Sequence, residues 1–265
     1  MPTAYNLIPP RFADGRHGAV EAGLEAVGFG VTQQIDDAVA ADAAVVTWNA
    51  HTAVATVGLR RARAAGAMAI VAEEAYTRRL WPAPHFALAL DGHNGAGRWC
   101  SGGPDRWAKM GIALKPWRKD GTHILVCAAR GMGSPAMREP RGWADDVVRR
   151  LAQVSDRPVR LRRHPGKRYA DRPLEADLAG AWAVVVWASN CATHALVAGI
   201  PVFYEAPHII TSGAAERGIA GIERPAYPER LPVFERLAWA QWTMEEIRVG
   251  APFRHLSSRL AIARY

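Results

Sequence analysis

The chain has 265 residues and a mass of 28.8 kDa, with an apolar share of 49% and a charged share of 22%. That composition belongs to a globular protein and excludes intrinsic disorder or a collagen-like fibre. Basic residues number 33 against 25 acidic ones, giving a net charge of +8 and a pI of about 9.9, so the expected partner is anionic: a nucleotide, a nucleic acid or an acidic membrane surface.

The apolar pattern alternates short runs with amphipathic stretches. A first helix is predicted from Asp14, as its cap, to about residue 27, with Val20, Leu24 and Val27 on one face. Residues 43–48 form a continuous apolar run suited to a buried parallel strand. A helix over 51–65 ends at Gly66, and strands follow at 67–72 and 86–90. Residues 92–121 are rich in Gly, Pro, Trp and charge, and their end reads as a linker. The alternation then restarts: strands at 123–128, 158–162, 181–187 and 201–204, with helices at 143–154 and 191–198 and further helical stretches around 233–248. This traffic predicts an α/β protein with two Rossmann-like domains, 1–116 and 117–265, and a cleft between them. The N-terminal lobe is compact and the C-terminal helices belong to the second domain. No internal repeat is present. No apolar run approaches the roughly 20 residues of a membrane span, and the N-terminus lacks a signal-peptide layout. Cys100, Cys127 and Cys191 form no C-x-x-C pair and no disulfide framework, which predicts a cytoplasmic protein.

Three strand ends in the second half carry candidate anion-binding groups. Arg130, Gly131, Gly133 and Ser134 combine a cation, two glycines that admit a close backbone approach, and a hydroxyl. Arg162 and His164 share one face of their strand, and Pro165 ends it. Ser189 and Asn190 precede a helix whose N-terminus offers free N–H groups. Each has a plainer reading, as a turn, a basic surface or an ordinary cap. Together they resemble the donor-binding half of GT-B glycosyltransferases, and above all the bacterial capsule Kdo transferases. That family has a His-Pro turn followed by Ser-Thr-x-Gly-Phe-Glu-Ala-Leu-x-x-Gly-x-Pro-Val. Here His164-Pro165, Ser189, Ala195-Leu196, Gly199 and Pro201-Val202 match, while His194 stands for the family's glutamate and Ala192-Thr193 for its Gly-Phe. The family's Glu-Asp-Gly-Phe is echoed by Glu73-Glu74-Ala75-Tyr76, and its Asp-Asp-x-Gly by residues 91–95.

The resemblance implies sugar transfer from a nucleotide sugar, a UDP-sugar above others, to a hydroxyl, with no bound cofactor and no metal. No Asp-x-Asp triplet is present; Asp36-Asp37 and Asp145-Asp146 are adjacent pairs at helix starts. Such transfer needs a base for the acceptor hydroxyl and neutralisation of the leaving phosphate. Asp91, directly after an apolar strand, is the expected base, with His93 its rival and Glu73 or Glu74 a further candidate. Glu205 is placed to bind donor hydroxyls, and Asn49, His51, Arg98 and Trp99 to shape the acceptor site. Cations interleave with indoles through residues 78–118, and residues 157–172 hold seven basic side chains. Aromatic wedges and phosphate contacts are features of DNA-modifying proteins, and the GT-B resemblance extends to the phage DNA glycosyltransferases, which act on hydroxymethyl pyrimidines; it implies such a base in DNA as the favoured acceptor, in the host cytoplasm if phage-encoded. The alternatives are a capsule or lipopolysaccharide sugar transferase in peripheral contact with a membrane, a nucleotide-sugar 2-epimerase, and a non-catalytic DNA-binding protein.

Overall fold

The computed structural model describes residues 1–131, 137–164 and 173–258. Gly133, Ser134 and Pro165 lie outside the described residues. The chain divides into two compact units: Met1–Arg106 with the described residues from Arg236 onward, and Trp107–Glu235.

In chain order the first unit holds β1 (Thr3–Asn6), α1 (Arg16–Glu25), β2 (Gly30–Thr32), β3 (Ala44–Trp48), α2 (Ala53–Ala65), β4 (Met68–Glu74) and β5 (His85–Leu90). The helix α3 (Asp105–Met110) crosses into the second unit. There follow β6 (His123–Cys127), α4 (Trp143–Leu151), β7 (Val159–Arg162), α5 (Leu174–Leu178), β8 (Ala181–Val186), α6 (Cys191–Val197), β9 (Val202–Tyr204) and β10 (Glu216–Arg217). The helix α7 (Leu231–Ala238) leads back to the first unit, which adds β11 (Gln241–Thr243), α8 (Met244–Arg248) and α9 (Ala251–Ser258).

The first sheet has the order β11-β5-β4-β3-β1-β2. Strands β2, β1, β3 and β4 are parallel, as their buried apolar runs require. β5 runs antiparallel to β4, and β11 antiparallel to β5. The parallel pairing implied by a Rossmann-like domain ends here: only 10 residues separate β4 from β5, too few for a helical crossover. The helices α1 and α2 pack on this sheet. Thr52 caps α2 by accepting the Ala55 N–H at 3.2 Å, and Gly66, at φ 72°, closes it. Asp14 does not cap α1. Gly15 takes that position at φ 75°, and Asp14 instead accepts the Arg16 N–H and guanidinium.

The second sheet, β10-β9-β8-β6-β7, is parallel throughout. Its core gathers Ile124, Val126, Val147, Leu151, Val185 and Phe203. Gly199 ends α6 at φ 77°, where a Cβ would lie 2.0 Å from the Pro116 carbonyl, so only glycine lets these backbones meet. In each unit the strand order reverses beside its first strand: between β1 and β3 in one, between β6 and β8 in the other. Ligands of open α/β sheets bind outside the carboxyl ends at such reversals.

The C-terminal segment is placed differently from the sequence reading. β11 pairs with β5 (Trp242 opposite Phe86), so the chain beyond residue 236 completes the first unit rather than the second.

Candidate functional site

At the carboxyl edge of the first sheet, β1 ends on Asn6, β3 on Trp48 and β4 on Glu73 and Glu74. Arg16, at the start of α1, is buried there with its guanidinium 3.6 Å from the Trp48 ring centre, 4.3 Å from Phe12 and 4.6 Å from Phe86. Its Nε donates to Asp14 at 2.8 Å, its Nη2 stands 3.6 Å from Glu74 Oε1, and its Nη1 has no partner among the described residues. Aromatic faces and carboxylates together hold one cation rigidly against the edge.

Glu73 lies beside this group. One carboxyl oxygen accepts the Glu74 N–H at 3.1 Å, and the other is 3.7 Å from His93 Nε2. Burial, followed by the negative charge of Glu74, pushes its carboxyl up to about 7, although its own hydrogen bond and the charges of His51 and Arg16 oppose the shift. Burial also lowers His93, which is therefore neutral at pH 7. The pair is a carboxyl group poised near neutrality facing an imidazole, rather than a fixed ion pair. Glu74 itself is engaged by Arg78 at 2.9 Å.

Tyr76 keeps His93 in place. Its buried hydroxyl accepts the Asn94 N–H at 2.6 Å, and its own N–H donates to Gln241 at 3.0 Å. Its phenol is raised by burial and stays protonated. Sequence reasoning did not single out Tyr76; the signal was its place in the Glu73-Glu74-Ala75-Tyr76 stretch.

The other first-unit candidates fall elsewhere. Asp91 was expected at the carboxyl edge. Because β5 is antiparallel, it lies at the opposite edge, donating its N–H to Ala69 near the start of β4 at 2.7 Å. There its side chain pairs with Arg98 at 2.8 Å and approaches Arg63 at 3.8 Å, and its φ of 64° marks a turn. Arg98 is thus a partner of Asp91. Trp99 is buried and donates to the Arg236 carbonyl at 2.8 Å. Asn49, at φ 52°, is buried and accepts the His51 N–H at 3.4 Å in its own turn, while His51 is exposed.

At the carboxyl edge of the second sheet, Arg130 and Gly131 follow β6 and line a cavity of about 590 Å³ with Arg138, Glu139, Pro140, Arg141 and Gly142. Glu139 accepts the Ala129 N–H at 2.6 Å. Arg162 pairs with Asp177. His164 is exposed, and its imidazole is lowered by partial burial and by the charges of Arg130 and Arg162. Ser189 Oγ accepts the Cys191 N–H at 3.3 Å, and Asn190 takes the cap position without a side-chain bond. His194 is buried within α6. Glu205 is fully engaged: both its oxygens bind Arg150, at 2.7 and 2.6 Å, and Trp143 Nε1 donates to it at 2.8 Å. These partners hold its carboxyl below the usual range, and it ties β9 to α4.

No group of three or more His, Cys, Asp or Glu side chains suited to a metal occurs among the described residues. No helix among them is long and apolar enough to cross a membrane.

No family model and no curated protein matches the chain. Solved structures do. A Thermosulfurimonas dismutans KpsC structure, described as a beta Kdo 2,7 transferase, superposes with a TM-score of 0.59 at 12% identity, over 98% of this chain and 100% of the other. A second KpsC structure from that organism, a beta Kdo 2,4 transferase, gives 0.60 at 12% identity, over 92% of each. At this identity the likeness is one of fold: the chain shares the α/β fold of these two structures.

Proposed function

We propose that this protein is a glycosyltransferase that moves a sugar from a nucleotide sugar to a glycan hydroxyl, in the manner of the Kdo transferases whose fold it resembles. The observation that carries the reading is Glu73. It stands at the carboxyl edge of the first sheet, its carboxyl is poised near 7, and His93 and Glu74 adjoin it. In this reading Glu73 takes the proton from the acceptor hydroxyl as that oxygen bonds to the anomeric carbon. The bond from that carbon to the donor phosphate breaks, and the phosphate leaves with the electron pair. Arg130, a cation at the carboxyl edge of the second sheet, would neutralise the departing charge, which is why the donor is assigned there. The match of His164, Ser189 and Gly199 to the family's donor half supports the same assignment.

A glycan acceptor is favoured over hydroxymethylated DNA for a specific reason. All ten tryptophans lie among the described residues, and none is exposed. Trp99 and Trp107 are buried, and the Trp117 N–H is taken by Pro228. The indoles that suggested base wedges are structural.

The test is incubation with a panel of nucleotide sugars and three acceptor sets: oligosaccharides ending in acidic sugars, plain DNA and hydroxymethylated DNA. Mass spectrometry should find one added sugar on an oligosaccharide, with release of the nucleotide. Sugar on DNA alone would overturn the acceptor, and epimerised free donor without transfer would overturn the reaction.

A further inference from the structure

Cys127 and Cys191 are remote in sequence but meet at the carboxyl edge of the second sheet. Cys127 ends β6, whose neighbour β8 places Val186 opposite it, and the chain returns from β8 through Ser189 into Cys191 at the start of α6. The two thiols stand close enough for each to act on the other's titration. Cys127 is buried at 1% exposure, whereas Cys191 is partly exposed. The Ser189 hydroxyl also bonds to Cys191, and the Arg162 charge acts on both sulfurs. Cys127, then Ser189 and Arg162, lower the Cys191 thiol against the cost of burial, while Cys191 and burial push Cys127 up. Cys191, the less buried residue of the two, thus faces the buried Cys127, the arrangement of an attacking and a resolving cysteine. Neither group has a part in the chemistry proposed above.

We propose that Cys191 and Cys127 form a peroxide-responsive thiol–disulfide pair that ties the end of β6 to the start of α6. The Cys191 thiolate attacks one oxygen of hydrogen peroxide, the O–O bond breaks, and hydroxide leaves and takes up a proton as water. Cys191 becomes a sulfenic acid. Cys127 then attacks that sulfur and loses its proton, the S–O bond breaks, and a second water departs. Two thiols and one peroxide give one disulfide and two waters, and a thiol reductant reverses the change. The coupling of the pair to activity rests on the transferase reading: the tie lies at the sheet edge that carries Arg130, Ser189 and Asn190, so oxidation stops transfer.

The test treats the full chain with hydrogen peroxide, blocks free thiols with iodoacetamide and maps peptides by mass spectrometry. A peptide linking Cys127 to Cys191 is expected, lost on treatment with dithiothreitol, absent from Cys191→Ser and retained in Cys100→Ser. If Cys127→Ser fails to fold, Cys191→Ser decides. Alkylation of both residues after peroxide, or crosslinking through Cys100, overturns the pair. Transfer by the oxidised protein should be lost and then restored by dithiothreitol, and unchanged transfer by a crosslinked protein overturns the coupling. Absence of transfer in the reduced protein refutes the transferase reading, and the linked peptide still decides the pair.

Discussion

Glu73 shows how position changes the meaning of a side chain. Its carboxyl is pushed up from the ordinary 4.5 to about 7, because burial penalises the charged form. Between about pH 4.5 and 7 the folded protein holds a proton that the unfolded chain has released, so stability falls as pH rises through that window. The loss amounts to about 3 kcal/mol at most. Glu73→Gln removes the charge, so it should match the wild type near pH 4.5 and be the more stable protein at pH 8. Urea unfolding at the two pH values checks this, and parallel curves would contradict it. Asp91 illustrates the converse. Its neighbours Arg63 and Arg98 are surface partners at the amino edge of the sheet, and exposed pairs contribute about 0–1 kcal/mol. Asp91→Asn should therefore leave transfer within a few fold of the wild type; a collapse of kcat would restore Asp91 as the base. Sequence alone put Asp91 first because it follows an apolar strand, and it left Glu73 and Glu74 as a lesser choice.

That misplacement belongs to the scale of the element. Strands β3, β4, β6 and β8 were legible because burial on both faces writes them as unbroken apolar runs. Periodicity carries no sign of direction, and the direction of β5 decides which edge Asp91 reaches. β1 (Thr-Ala-Tyr-Asn) and β2 (Gly-Val-Thr) were missed because polar residues and a glycine break up any apolar run in them. β11 was missed for the same reason, although it caps the sheet and supplies Gln241, which holds the Tyr76 N–H. Ending the chain after residue 238 would expose β5 and free Tyr76. The expected outcome is loss of cooperative unfolding of the first unit, read by near-ultraviolet circular dichroism; a native-like spectrum would show that β11 is dispensable. The subtler change Tyr76→Phe removes the hydroxyl that receives the Asn94 N–H. It should cost about 1–2 kcal/mol and slow transfer by loosening His93, which thermal melts and kcat would register separately.

For the molecule as a whole, the charge of +8 called for an anionic partner without naming it. Many arginines are accounted for within the protein: Arg16 in its aromatic cage, Arg106 bound to Glu246, Arg150 to Glu205 and Arg162 to Asp177. Arg130, Arg138 and Arg141 line the cavity beside β6 instead. Binding to a DNA duplex should accordingly be weak and non-specific, lost at physiological salt and indifferent to hydroxymethylation, as fluorescence anisotropy would show. Tight, modification-dependent binding would contradict the glycan reading. The return of the chain into its first unit was illegible in the sequence because residues around 233–248 read simply as helical stretches, and only the pairing of β11 with β5 fixes their place. The central claim, that Glu73 accepts the proton in sugar transfer, is tested most directly by the pH dependence of kcat/KM for the wild type and Glu73→Gln. The account predicts a wild-type rate that rises with pH and levels off above about 7. It also predicts a variant about 10²–10⁴-fold slower, without that inflection. A variant with the wild-type rate and profile would contradict it.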